Sequence, residues 1–262
     1  MDSALIGVDA TRPWFAALGA LRELVHASDP LVELNRLAAA RGVTTETGRP
    51  LVFVDEADAS PGVAYEAHIA ATGRVPTRNS RHDLFNALVW LAFPRTKARL
   101  NALQAEAIAR DGVAGGRGAL RDAATVFDEN GALLIAEDPF LAERVRARDW
   151  REAFVARREE WERVRVFCLG HALMDKLVRP YKAITAHVLV VEAQDGQDAD
   201  ADAAQTIDRR FAVSALMPLP VLGIPGWWPA NADPTFYEDR SVFRVQSWTR
   251  ATRHDSDRRT HA

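Results

Sequence analysis

RNSRHDLFNALVWLAFPRTK, residues 78–97, decides how the rest of the chain is read. Ser80 stands before a long apolar run, and Ser80-x-x-Asp83 has the layout of a helix capping box, with a shorter carboxylate than the usual Glu. The run LFNALVWLAF is apolar on nearly all faces, so the spacing predicts a helix that is buried rather than laid on the surface. Pro94 stops or kinks it, and TKARLNALQAEAIARDG continues as an amphipathic helix. His82, Asp83 and Asn86 therefore sit at the head of a buried helix. Buried polar groups must find partners, so they serve either a structural network or chemistry.

Working outward, Trp14, Leu18, Leu21, Leu24 and Val25, then Leu31, Leu34 and Leu37, read as two amphipathic helices, the second starting at Asp29-Pro30. PLVFVDE (50–56) reads as a strand and AYEAHIAATG (64–73) as a short helix stopped by glycine. GVAGGRG (112–118) is a flexible connection. ATVFDENGALLIAED (124–138) reads as a β-hairpin about Asn130-Gly131, which places Asp128 and Glu129 in its turn, where turn chemistry accounts for them and a part as extra ligands beside the histidines is the lesser reading. Residues 149–165 read as a charged helix with Trp150, Phe154 and Trp161 on its inner face; HALMDKL is helical, and AHVLVVEA (186–193) is a strand.

QDGQDADADAAQ is expected as an acidic, solvated loop. Five prolines between Pro218 and Pro234 predict an extended segment wrapping the surface, and the tail from Thr249 is expected to fray. The sum is an α+β fold, mainly helical, with a few short strands. It reads as one globular domain over 1–248, or two lobes joined near 112–118, followed by a flexible tail over 249–262.

The bulk numbers exclude several classes. The chain has 262 residues, 48% hydrophobic and 26% charged, with a net charge of −3 and a mean hydropathy of −0.17. That balance argues against a general nucleic-acid or membrane-surface role. No apolar run reaches the roughly eighteen residues that a membrane span needs. MDSALIGVDATRPW has no cationic leader ahead of an apolar core, so the expected place is the cytoplasm. The single cysteine, Cys168, excludes an internal disulfide, and its apolar setting marks an inert buried thiol rather than a nucleophile.

Two pairs could carry chemistry. His82 and Asn86 lie four residues apart and share a helix face; His171 and Asp175 repeat that spacing on a second helix. If the helices face one another, the four groups could orient a water, bind a metal or run acid–base catalysis; otherwise they form a buried network. Asp83 is expected as a cap partner. Between Arg74 and Arg99 there are six cations against one acid. Arg78 and Arg81 precede the helix start, where a small anionic ligand could dock, or they pair with acidic helices elsewhere. Trp227, Trp228, Phe236, Tyr237 and Phe243 are expected to nail the C-terminal segment to the core, with a ligand cleft involving Asn231, Asp233 and Asp239 as the alternative. No glycine-rich phosphate loop, CxxC pair, GxSxG or HExxH is present, so no cofactor is legible.

PTRNSRHDLFNALVWLAFPRTKARLN, VFDENGAL, FCLGHALMDKL followed by RP, and LPVLGIPGWWPANADPTFYEDRSVFR together resemble a family of bacterial, chiefly proteobacterial, proteins catalogued as domain of unknown function 3025. The resemblance covers about Tyr65 to Arg244. It implies a soluble bacterial protein and carries no catalytic residue over. Relatives often have Glu where this chain has Asp175, one methylene shorter in reach.

The residues support two functional expectations. One is a hydrolase acting on an anionic, for example phosphate-containing, substrate, with His82, Asn86, His171 and Asp175 as the site and Arg78 and Arg81 holding the anion. The other is a non-catalytic module that binds a small anion or a protein, with the buried His and Asn purely structural.

Overall fold

A computed structural model describes residues 3–60, 62–112, 118–136, 138–192 and 198–245. Helix α1 (Leu21–Val25) and helix α2 (Pro30–Arg41) open the chain. Asp29 caps α2 by accepting from the N–H groups of Leu31 and Val32 at 3.0 and 3.2 Å, with Pro30 in the first turn, where no donor is needed. Strand β1 (Val52–Val54), helix α3 (Tyr65–Thr72) and strand β2 (Arg74–Pro76) follow, and β1 pairs with β2 in parallel. The Asn35 carboxamide of α2 bonds both the N–H and the C=O of Phe53, each at 2.8 Å, and so ties α2 to this small sheet.

Helix α4 (Arg81–Ala92) is the buried helix expected from its sequence: every residue from Leu84 to Leu91 is buried. Each large apolar side chain there contributes about 1.5–3 kcal/mol relative to exposure. Pro94 starts helix α5 (Pro94–Asp111). Helix α6 (Ala119–Asn130), strand β3 (Gly131–Ala136), helix α7 (Pro139–Arg146), strand β4 (Val164–Cys168), helix α8 (His171–Leu177), strand β5 (Thr185–Glu192), helix α9 (Ala199–Thr206) and strand β6 (Met217–Pro220) complete the order. The second sheet runs β4-β3-β5-β6, with β3 parallel to β5 and antiparallel to β4, and β5 antiparallel to β6. The fold is α+β, and its core residues form one cluster from Leu5 to Phe243.

Four sequence expectations are corrected. Residues 124–138 are not a hairpin: Asp128 to Asn130 are the last turn of α6, and the chain passes straight into β3. Leu120, Ala123, Ala124 and Phe127 recur at helical spacing and pack inward, which outweighs the β propensity of Thr125, Val126 and Phe127. The segment before β4 is irregular, a π turn over Glu152–Ala156 and a 3₁₀ stretch over Arg158–Arg163, although Trp150, Phe154 and Trp161 are buried as expected.

The acidic run is not all solvated loop. Asp200 of α9 is buried and accepts from the N–H groups of Arg95 and Thr96, both at 2.8 Å, capping α5 from a distant part of the chain. The C-terminal segment is β6 followed by successive 3₁₀ turns rather than an extended wrap. Tyr237 and Phe243 pack on Phe154, and Asn231 is buried with its amide donating to Leu222 and Ile224 carbonyls, so the nailing reading holds there. The expected lobe junction and tail fall largely on 113–117 and 246–262, outside the described residues.

One backbone contact positions the site. The N–H groups of Leu169 and Gly170 both donate to the Gly131 carbonyl, at 3.1 and 2.8 Å, which brings the end of α6 against the start of α8. A Cβ on Gly170 would lie 2.5 Å from the Gly131 nitrogen and 2.6 Å from the Asn130 Cα, and one on Gly131 would lie 2.2 Å from the Phe127 carbonyl oxygen. These glycines serve close approach, not a turn, since Gly131 has φ −77. Gly170→Ala should therefore cost about 1–3 kcal/mol in urea denaturation through backbone overlap, whereas Gly19→Ala, with nothing within 4 Å of the added Cβ, should not.

Candidate functional site

A cleft of about 340 Å³ opens where α3, α4, α6 and α8 meet. Helix α4 supplies His82 and Asn86, one turn apart, and Asp83 beside them. Helix α8 supplies its first residue, His171, which is buried. The end of α6 supplies Asp128 and Glu129, and α3 supplies Tyr65, Glu66 and His68. The His82 and His171 rings meet edge to face, centroids 4.4 Å apart. Glu129 Oε2 lies 3.5 Å from His171 Nε2, and Asp128 Oδ2 lies 3.8 Å from His171 Nδ1. That Nδ1 is buried and makes no hydrogen bond among the described residues. One ligand atom each from His82, Glu129 and His171 all lie within 4.8 Å of one another, so these three could hold a metal ion.

Behind the cleft lies a buried ion pair. Lys97 of α5, itself buried, donates to Asp128 and, at 2.8 Å, to the Asn86 Oδ1. Asn86 Nδ2 in turn donates to the Tyr65 hydroxyl at 3.0 Å. Burial opposes the charge on Asp128, yet the Lys97 ammonium and the His171 imidazole together hold its carboxyl below the usual aspartate range. The hydrogen bond with His171 lowers that of Glu129 in spite of partial burial. Glu66 behaves oppositely. Burial, reinforced by the Asp128 charge, raises its carboxyl despite Lys97 and a 2.6 Å bond from Asn101 Nδ2 to its Oε2. One cleft thus carries a carboxyl that favours its proton, Glu66, beside three that favour losing it, Asp83, Asp128 and Glu129.

The structure brings together three of the four expected side chains, His82, Asn86 and His171. It does not bring Asp175 into the cleft lining: that carboxylate pairs with Arg81 at 2.9 Å. Arg78 reaches the rim, but its guanidinium grips Asp83 at 2.8 and 3.1 Å, with Glu56 3.8 Å away. Neither arginine is a free cation waiting for an anion. Ser80 accepts from the Asp83 N–H at 3.2 Å, while the Asp83 carboxylate accepts from Arg78 N–H at 2.9 Å, tying down the loop before α4. Sequence reasoning missed Tyr65, Glu66 and His68 of α3 and the part Lys97 plays. Asp128 and Glu129, expected in a turn with extra ligands as their lesser role, line the cleft from the last turn of α6, a place that the helical spacing ending at Phe127 would have given them. Cys168 is buried, its thiol pushed up to about 12 by desolvation, so it is inert as expected.

No helix among the described residues is long and apolar enough to cross a membrane. The chain belongs to the family described as protein of unknown function (DUF3025), whose family model matches residues 51–247. No curated protein and no solved structure matches it.

The Glu66 environment has a signed consequence for stability. A carboxyl raised on folding favours the protonated state, so it costs stability as pH climbs above the ordinary glutamate value of 4.5. Glu66→Gln keeps an acceptor for Asn101 and removes that cost. The variant should melt above the parent at pH 7, and the two melting curves should converge as pH falls below 4.5. A variant that melts lower at pH 7 would show that Glu66 is held ionised.

Proposed function

We propose that the cleft is the active site of a hydrolase that acts on an anionic substrate. The observation that supports this most is the meeting of His82 and His171 at 4.4 Å, ringed by carboxylates, in a cleft large enough for a small substrate group. His82 is half-buried on the open side and serves as base for an attacking water. His171, between Glu129 and Asp128, is the imidazole best placed to carry positive charge as the reaction proceeds.

The step follows from those positions. Water gives a proton to His82, and its oxygen bonds to the carbonyl carbon or phosphorus of the substrate. The bond to the leaving group breaks, and Glu66, the carboxyl that keeps its proton, protonates the departing oxygen or nitrogen. Asn86 takes a positioning part, since its carboxamide is engaged with Tyr65 and Lys97. At the rim, a substrate anion would take the Nη1 corner of Arg78 in place of Glu56, whose carboxylate lies 3.8 Å from it. We place the protein in a bacterial cytoplasm, a reducing setting consistent with its one buried cysteine.

The test is a screen of chromogenic phosphoesters, carboxylic esters and amides bearing an anionic group. The reading expects turnover that falls at least a hundredfold in His82→Ala and in Glu66→Gln, with circular dichroism unchanged. The Glu66→Gln variant should also lose the alkaline limb of the pH–rate profile. No turnover above buffer for any substrate, or turnover indifferent to both changes, would sink it.

A further inference from the structure

We propose that His82, His171 and Glu129 form a binding site for a divalent transition cation, with zinc the best fit, supported from behind by Asp128. This deepens the hydrolase reading and rests on the same cleft, but it changes the part of His82 from base to ligand.

The donor set speaks first. Two imidazole nitrogens and one carboxylate oxygen, with no thiolate, suit zinc and its neighbours rather than calcium or magnesium, which prefer all-oxygen surroundings. Three protein ligands leave a fourth position for water, the arrangement of catalytic rather than structural zinc. The geometry is close to what the ion needs. Bonds of about 2.0–2.1 Å in a tetrahedron put ligand atoms about 3.3 Å apart; His171 Nε2 and Glu129 Oε2 stand at 3.5 Å. The whole set lies within 4.8 Å, and His82 and Glu129 are only partly buried, so their side chains are able to draw in.

The second observation is independent of the ligand atoms. If Nε2 of His171 faces the ion, its Nδ1 must carry the proton and point away, and ligating histidines commonly donate that N–H to a carboxylate. Asp128 Oδ2 lies on that side at 3.8 Å, and the Nδ1 is buried without a hydrogen bond among the described residues. Lys97 fixes Asp128 in turn. A protonated histidine paired with a carboxylate would explain one imidazole beside Glu129. It does not explain a second imidazole 4.4 Å away, which would repel the first if both were charged.

Charge agrees. Glu56, Asp83, Asp128 and Glu129 line the cleft against Arg78, which already pairs with Asp83. A seated cation would offset this negative charge and strengthen the hold on an anionic substrate. A bound divalent ion would also acidify its water and so supply the nucleophile near neutral pH.

Calorimetric titration of chelator-treated full-length protein with zinc ions tests the proposal, with cobalt absorption as a second readout. One equivalent should bind, and cobalt should give visible bands of a four-coordinate site. Glu129→Gln keeps size and packing and should weaken zinc at least tenfold; Asp128→Asn should weaken it about 10–100-fold. His26→Ala, an exposed histidine far along the chain, should change nothing. Less than one equivalent bound, or affinity within twofold of the parent in both Glu129→Gln and His82→Ala, overturns the site. The two readings separate cleanly. Hydrolysis that persists in the chelated protein and is lost in His82→Ala leaves the hydrolase and removes the metal; stoichiometric zinc without turnover does the reverse.

Discussion

The ion pair between Lys97 and Asp128 is the contact on which the site depends. Both side chains are taken almost wholly out of water, which costs several kcal/mol per ion unless each is well partnered. Lys97 meets that demand with Asp128 and Asn86, and places its ammonium 5.4 Å from the Trp90 ring centroid. In doing so it joins α5 to α6 and α4, and through Asn86 it reaches Tyr65 of α3. Asp128 then presents its remaining oxygen to His171 of α8. Five helices converge on one buried charge.

Secondary contacts hold those helices at the right height. Asp200 caps α5 at Arg95 and Thr96, the two residues before Lys97, so a segment far along the chain fixes where that lysine stands. The Gly131–Gly170 approach sets the end of α6 beside the first residue of α8. Without it Glu129 and His171 would not be neighbours. A side chain at Gly170 would push apart the two backbone segments that carry the imidazole and its carboxylates, and one at Gly131 would disturb the last turn of α6 at Phe127, so packing and site geometry are one constraint here.

Part of this was legible in the sequence. The apolar run after Ser80 announces a buried helix, and the spacing of His82 to Asn86 states that they share a face. The polar head of HALMDKL marks His171. What brings α4 and α8 together is tertiary, and no local pattern encodes it. The Asn130-Gly131 pair looked like a hairpin turn because the same dipeptide serves tight turns; here the glycine allows close approach to Phe127 and Gly170. That misreading moved Asp128 and Glu129 off helix α6 and left them only a lesser reading as extra ligands beside the histidines. Asp175 repeats the spacing of Asn86 but turns to Arg81, showing that equal spacing on two helices does not aim both residues at one point.

The most direct measurement is a double-mutant cycle on Lys97→Met and Asp128→Asn, followed by urea denaturation. If the buried pair organises the helices, Lys97→Met alone should cost about 3–5 kcal/mol by stranding the Asp128 charge. Adding Asp128→Asn should return part of that loss, giving a coupling of about 1–3 kcal/mol. Two small losses that add to within about 0.5 kcal/mol would contradict the account.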